Sequence, residues 1–171
     1  MEHPLALFRD SHHIAQDDLA NLAGITRQIV VLTEQGVYPT IPPAIIKAIK
    51  YEYGPLATRG LNEYHHEWIL QELDKVDISP LINIGAPDRL PVGVDTFVDW
   101  RNLISDSVSN FGKTVKIQPV TIRKYESGAT HNLPVQLQER LQYWGFSGAY
   151  IEAVANLPIH GSINDTGEIG Q

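Results

Sequence analysis

An internal repeat constrains the fold of this chain more than any other feature of its sequence. Residues 8–22 align with residues 100–114, and residues 24–51 align with residues 116–143, at a constant offset of 92 positions and without a gap. The identical pairs are Arg9 with Arg101, Ile25 with Ile117, Glu34 with Glu126, Gly36 with Gly128, Pro42 with Pro134, and Tyr51 with Tyr143. Because the matches include apolar and glycine positions that determine a fold, we predict one structural unit used twice. The alternative is a chance similarity between two helical segments.

Apolar residues recur at helical spacing within each copy, which predicts an all-α fold. The residues that mark four helices in the first copy are Leu5 with Phe8, Leu19 with Leu22, Val30 with Thr33, and Ile45 with Ile49. Those of the second copy are Phe97 with Trp100, then Phe111, then Ile122 with Tyr125, and Leu137 with Leu141. Gly36 and Gly128 follow the third helix of each copy, where a left-handed residue is favoured. Prolines at positions 42, 43 and 134 suit a helix start.

The segment between the copies combines one helix with a linker. An apolar stripe predicts an amphipathic helix over residues 61–76, which we expect to pack on the first copy; its members are Leu61, Tyr64, Trp68, Ile69, Leu73 and Val76. Glycines and prolines then indicate a linker or surface loop. The predicted boundaries are a first domain at 1–80, a linker at 81–94, a second domain at 95–157 and a flexible tail at 158–171.

Charge and cysteine content exclude several classes of function. The chain has no cysteine, so disulfides, thiolate zinc sites and cysteine nucleophiles are excluded. Its formal net charge of −7 argues at first against a nucleic-acid partner. However, residues 61–94 carry six acidic and two basic side chains, and residues 142–171 carry three acidic and no basic ones. The two repeat copies are therefore close to neutral. The acidic connector and tail are either a solvated face that keeps the protein soluble, or a surface that repels DNA except where the two helices face it or that binds a protein partner.

Residues 15–36 resemble the helix-turn-helix of the lambda-repressor/Cro-type family, also called the XRE family. The matching residues are Gln16, Leu19, Ala20, Gly24, Ile25, Glu34 and Gly36. Elementary packing agrees with the resemblance, because the small Ala20 lets two helices cross closely and Gly24 permits a tight turn. Residues 107–128 are similar, with Lys116 in place of the turn glycine and Val108 in place of the glutamine. The resemblance implies an all-α chain of two lambda-repressor-like units.

The resemblance also implies which side chains face DNA, since the third helix of each unit would enter the major groove. In the first copy these are Thr26, Arg27, Gln28 and Val31, with Gln16 at the start of the second helix near the DNA backbone. In the second copy they are Gln118, Val120, Thr121, Arg123 and Lys124. Arginine can pair with guanine, glutamine with adenine, and valine or threonine can touch a thymine methyl group. The alternative is that these are simply exposed helix residues.

The expected function is that of a sequence-specific regulator of transcription that binds double-stranded DNA, of the kind phages encode as repressors. Two unlike recognition helices on one chain would read an asymmetric operator, with the chain acting as a monomer or a homodimer. The alternative is an acidic protein-interaction module or DNA mimic that blocks a host regulator. No signal peptide or membrane-spanning run is evident, so we expect a cytoplasmic protein, in the bacterial host if phage-encoded.

No pattern in the sequence predicts catalysis, a cofactor or a metal site. Adjacent histidines, as in His12-His13 and His65-His66, point about 100 degrees apart on a helix and cannot converge on one ion. The Gly-Lys-Thr run at 112–114 lacks the glycine five residues earlier that a phosphate loop requires. Trp68, Trp100 and Trp144 lie at helical spacing with other apolar residues and are expected in the core.

Overall fold

The computed structural model describes residues 1–159, and its regular structure there is helical, which confirms the all-α prediction. Contacts divide the chain into two compact units, Met1–Asp74 (unit 1) and Lys75–Gln171 (unit 2). Within the described residues, none of the helices has the length and apolarity that spanning a membrane requires.

Unit 1 contains five α-helices and a short 3₁₀ helix, Pro55–Thr58. The α-helices are α1 (Pro4–Ser11), α2 (Gln16–Ala23), α3 (Arg27–Glu34), α4 (Pro43–Tyr53) and α5 (Leu61–Asp74). Helix α2 packs against α3 and α4, while α1 packs against α3 and α5. Burial of one face of each helix forms the core, whose residues are Leu5, Ile14, Leu19, Ala20, Val30, Ile41, Ile45, Ile49 and Leu61.

A buried pair of histidines joins α1 to α5 in unit 1. The backbone N–H of Leu5 donates to Nδ1 of His3 at 3.0 Å, so the ring proton of His3 resides on Nε2. That Nε2 lies 2.7 Å from Nδ1 of His65, which must accept. Nε2 of His65 then donates to the carbonyl of Tyr38 at 2.8 Å. Both rings are buried and neutral in this arrangement, since each nitrogen already has one defined role.

Over residues 75–159, unit 2 contains five further α-helices and a 3₁₀ helix, Ser79–Leu81. The α-helices are α6 (Phe97–Asn102), α7 (Val108–Val115), α8 (Pro119–Glu126), α9 (Val135–Tyr143) and α10 (Gly148–Ala155). Its core is rich in aromatic side chains, including Phe97, Trp100, Phe111, Tyr125 and Tyr150. The buried polar atoms of these rings are satisfied: Trp100 Nε1 donates to the Tyr150 hydroxyl at 3.0 Å, and that hydroxyl donates to the Leu81 carbonyl at 2.6 Å.

The helices of the two units follow the sequence repeat. Helices α2 and α7 begin at Gln16 and Val108, and α3 and α8 begin at Arg27 and Pro119, so both pairs keep the offset of 92. All four have eight residues. Helices α4 and α9 also begin at matching positions, whereas α6 is shorter than α1. The two copies therefore share their helix boundaries most closely in the segments around the predicted interface.

Parts of the segment expected to be a linker at 81–94 pack against a core, although most of its residues are exposed. Helix α5 ends at Asp74, and Leu81 is fully buried in the core of unit 2, where Leu90 and Val94 also pack. The Gly/Pro-rich composition indicates the absence of a long helix here, but composition alone does not reveal that the apolar side chains of an irregular segment contact a core. The boundary between the two compact units lies between Asp74 and Lys75.

The three tryptophans expected in the core are buried to different degrees. Trp100 is fully buried, Trp68 nearly so, and Trp144 is half-buried against the core of unit 2. Leu22, placed with Leu19 in the apolar pattern of α2, is 46% exposed.

The tail predicted at 158–171 is described only at its first two residues, because residues 160–171 lie outside the described residues. The carbonyl of Pro158 accepts a hydrogen bond from the Phe97 N–H.

Candidate nucleic-acid interface

In unit 1, a three-residue turn joins α2 to α3. Gly24 ends α2 in the left-handed conformation, with φ of 68° and ψ of 33°. The Ile25 N–H then donates to the Ala20 carbonyl at 3.0 Å, which holds the turn against α2. Helix α3 buries Val30 and Thr33 and directs its other side outward. One side of α3 is therefore fixed to the core while the opposite side is available to a partner.

The equivalent turn in unit 2 joins α7 to α8 in the same way. Lys116 ends α7 in the left-handed conformation, with φ of 60° and ψ of 49°, and the Ile117 N–H donates to the Gly112 carbonyl at 2.9 Å. The close approach explains Gly112, because a Cβ there would lie 2.6 Å from the Ile117 carbonyl oxygen. Ile122 and Tyr125 of α8 are buried. The two helix pairs thus have corresponding turns and corresponding buried positions.

The predicted contact residues lie on the surface of their own units, and none is fully buried. The exposed ones are Thr26, Arg27, Gln28, Val120, Arg123 and Lys124. The partly buried ones are Gln16, Val31, Gln118 and Thr121. A third helix enclosed by the protein's own side chains would have removed these residues from contact, and α3 and α8 are not enclosed in this way.

A two-bond ion pair fixes the end of the third helix in each unit. Arg9 of α1 donates from Nε and Nη2 to the carboxylate of Glu34 at 2.6 and 3.0 Å. Arg101 of α6 makes the same two bonds to Glu126 at 2.5 and 3.4 Å. The hydrogen bond with Glu34 raises the pKa of Arg9 above its usual value, although burial opposes this shift. Both pairs are largely shielded from water, so they hold α3 and α8 in defined orientations.

In unit 1, this ion pair extends to the predicted interface. The Gln16 amide donates to Glu34 at 2.9 Å, and its carbonyl oxygen accepts from Arg27 Nε at 3.3 Å. Gln16 and Arg27, both predicted contact residues, are therefore brought together at the start of their helices. The side chain of Arg27 is thereby oriented while remaining exposed, which reduces the entropy lost if it binds a partner.

The exposed arginine of the third helix in unit 2 lies at a different position, because Arg123 matches Val31 and not Arg27. Arg123 Nη2 donates to the Ser109 hydroxyl at 3.2 Å, so this arginine too reaches the first turn of the preceding helix. Arg140 of α9 donates to the carbonyls of Val115 and Lys116 at the end of α7, each at 2.9 Å. Burial lowers the pKa of Arg140. This carbonyl cap satisfies acceptors that a helix end leaves unpaired.

Sequence reasoning identified the exposed side chains but missed the ion pairs that position them. Arg9 with Arg101 and Glu34 with Glu126 are both identical pairs of the repeat, so their joint repetition was the signal that linked them. Among residues 1–159, no group of three or more His, Asp or Glu side chains is placed to hold a metal ion.

Comparison of the chain with protein-family models, with curated proteins and with solved structures finds no match.

Proposed function

We propose that this protein is a sequence-specific DNA-binding regulator that acts by occupying its site and performs no catalysis. The observation that carries the proposal is the repeated arrangement of α3 and α8, each fixed to its core on one side and exposing arginine and neighbouring side chains on the other. The major groove of B-DNA accommodates one α-helix. A helix that enters it must be exposed along one side and held rigidly along the opposite side, and both helices meet this requirement.

The chemistry of the exposed side chains suits base edges. Arg27 and Arg123 carry the planar donor array that pairs with guanine, and Gln28 can both donate to and accept from adenine. Gln16 orients Arg27, and Ser109 orients Arg123. An arginine already held near its binding conformation loses less side-chain entropy when it pairs with a base, which favours these two residues as the main contacts.

The two recognition helices differ in sequence, and we propose that they read different base sequences. At matching positions, Arg27 corresponds to Pro119, Gln28 corresponds to Val120, and Val31 corresponds to Arg123. A symmetric dimer of identical readers binds a palindrome, whereas two unlike readers on one chain bind an asymmetric site. A footprint of two chains on a symmetric palindrome would contradict this part of the proposal.

Selection of binding sites from random duplex DNA tests the proposal. We expect the intact chain to select an asymmetric site, Arg27→Ala to lose preference at one end of it, and Arg123→Ala to lose preference at the other. Each lost pairing should cost about 1–3 kcal/mol of discrimination. Arg59→Ala in unit 1 and Arg89→Ala in unit 2 are matched controls, because both arginines are exposed and lie outside the two helix pairs.

Two results would overturn the proposal. If neither variant changed the selected sequence, α3 and α8 would not be the recognition helices. If the intact chain bound no duplex DNA even at low salt but bound a basic protein, the acidic surface of residues 61–94 would be the functional one. In that case the chain would act as an acidic interaction module.

A further inference from the structure

The helices that precede the two recognition helices begin in chemically different ways. Ser107 caps α7, accepting a hydrogen bond from the Asn110 N–H at 3.1 Å. The matching residue before α2 is Ala15, which offers no side-chain cap. Instead, α2 carries Asp17 and Asp18 in its first turn. Carboxylates near a helix N-terminus stabilise it through the helix dipole, so they compensate for the missing cap.

These two carboxylates lie beside the predicted contact residues of unit 1. Asp17 and Asp18 are both exposed and directly follow Gln16, whose side chain is bonded to Arg27. The matching residues of α7 are Ser109 and Asn110, which are exposed but uncharged. Unit 1 therefore has two negative charges where unit 2 has neutral hydrogen-bonding groups.

The surrounding charges accentuate this difference between the units. Residues 107–138 contain four basic side chains, Lys113, Lys116, Arg123 and Lys124, and one acidic side chain, Glu126. Glu126 is bound to Arg101 and so contributes little negative potential.

The matching stretch of unit 1, residues 15–46, contains a single basic side chain, Arg27, and three acidic ones, Asp17, Asp18 and Glu34. Glu34 is bound to Arg9, so the exposed negative charge of this stretch comes from Asp17 and Asp18.

We propose that the two units divide the work of binding DNA: unit 2 supplies most of the attraction to phosphates, and unit 1 supplies discrimination between bases. This inference rests on the proposed function. Asp17 and Asp18 repel the DNA backbone, so unit 1 engages the duplex only where its base contacts outweigh that repulsion. Non-specific binding depends on phosphate contacts and is therefore carried by unit 2. A repulsive element of this kind increases specificity at the expense of affinity.

Exchanging the first-turn residues between the units tests this division. Asp17→Ser/Asp18→Asn gives α2 the residues of α7, and Ser109→Asp/Asn110→Asp makes the reciprocal change. The reciprocal variant should fold, because acidic side chains are favourable in a first helical turn. Glu63→Gln/Glu67→Gln on α5 and Gln142→Glu/Ala149→Asp in unit 2 change the net charge equally at exposed positions outside the two helix pairs.

Binding of the full chain to a random-sequence duplex is measured between about 50 and 200 mM salt. We expect Ser109→Asp/Asn110→Asp to lower the affinity roughly tenfold and to make the salt dependence shallower by about one unit of slope. We expect Asp17→Ser/Asp18→Asn to raise the affinity for random duplex about fivefold and to reduce the preference for the selected site, because backbone repulsion is removed. The two charge controls should each change affinity by less than about twofold, since screened charges outside the interface act weakly.

The possible failures can be told apart. If the intact chain and every variant failed to bind duplex DNA at about 50 mM salt, the proposed function and the inference would both be wrong. If the intact chain bound but each exchange changed affinity no more than its charge control, the inference alone would be overturned.

Discussion

Lys116 adopts at the end of α7 the left-handed backbone conformation that Gly24 adopts at the end of α2. This region is costly for residues with a side chain, by about 1–2 kcal/mol, and nearly free for glycine. The repeat therefore retains the backbone geometry of the turn even where the residue best suited to it has been replaced. Unit 2 tolerates this cost because Arg140 binds the Lys116 carbonyl and Ile117 is fully buried beside it.

We predict that Lys116→Gly stabilises unit 2 by about 0.5–1 kcal/mol, because relief of the left-handed conformation exceeds the entropy that glycine adds to the unfolded chain. Urea unfolding followed by NMR measures this, since it resolves residues of unit 2 from those of unit 1. The matched control is Lys113→Gly, in the interior of α7, which should destabilise by about 1 kcal/mol. Destabilisation by both variants would show that the turn is not strained.

A second prediction concerns the missing cap of α2. Ala15→Ser supplies the hydroxyl that Ser107 supplies to α7, and Ala15 has the extended backbone that a capping residue needs. We expect unit 1 to gain about 1 kcal/mol of stability and Ser107→Ala to cost unit 2 a similar amount. Chemical denaturation of the two variants checks both. A serine at position 15 that left the unfolding midpoint of unit 1 unchanged would mean that Asp17 and Asp18 already satisfy this helix end.

A third prediction concerns the Arg101–Glu126 pair. Glu126→Gln should destabilise unit 2 by about 2–4 kcal/mol, because it leaves the nearly buried guanidinium of Arg101 without its counter-ion. In addition, the amide NH₂ of the new glutamine would face an N–H donor of Arg101. Glu139→Gln, an exposed carboxylate on α9, is the control and should change stability by less than about 0.5 kcal/mol. Thermal unfolding distinguishes them, and equal melting temperatures would contradict a structural role for the pair.

The buried histidine pair predicts that unit 1 loses stability in mild acid. Burial lowers the pKa of His65 below the ordinary value of 6.5, the Tyr38 carbonyl partly opposes the shift, and nearby His66 adds to it. Above pH 6.5 His65 is neutral in both states and its full contribution to stability is present. As pH falls below 6.5, the unfolded chain binds a proton that the folded chain does not, and stability decreases by at most about 1.4 kcal/mol per pH unit.

Urea titrations at several pH values, followed by NMR signals of unit 1, measure this loss. His66→Gln is the control, because His66 is exposed and its removal should preserve most of the pH dependence. A free energy of unfolding that stayed constant as the pH fell from about 7 to 5.5 would contradict the neutral histidine chain.

The helices could be predicted because burial imposes a period on the sequence. Val30 and Ile122 were assigned to the core from that period, and both are fully buried. The helical period does not predict the exposure of Leu22. A helix of eight residues makes only about two turns, so the pattern does not define the edge of the buried stripe. Position 22 lies at that edge, and tertiary packing alone determines its exposure.

The exposed sides of α3 and α8 could also be predicted, since each is the complement of the buried side. The groups that orient these exposed side chains could not be predicted from the sequence. Arg9 and Glu34 are 25 positions apart, and His3 and His65 are 62 apart. No local pattern relates residues at such distances, and whether two distant polar side chains pair depends on how the helices cross. The repeated Arg and Glu pairs reduced that uncertainty for the ion pairs, whereas the positions that match His3 and His65 are Asp95 and Leu157.

The equal length of α3 and α8, and their shared buried positions, make the two helices exchangeable. Their outward side chains can be treated as a cassette, transplanted from one unit to the other while Val30, Thr33, Ile122 and Tyr125 stay in place. Under the proposed function, a chain with the α3 cassette in both units would read one sequence repeated instead of two different ones. Extended to designed cassettes, the same exchange would allow the two sequences to be chosen independently.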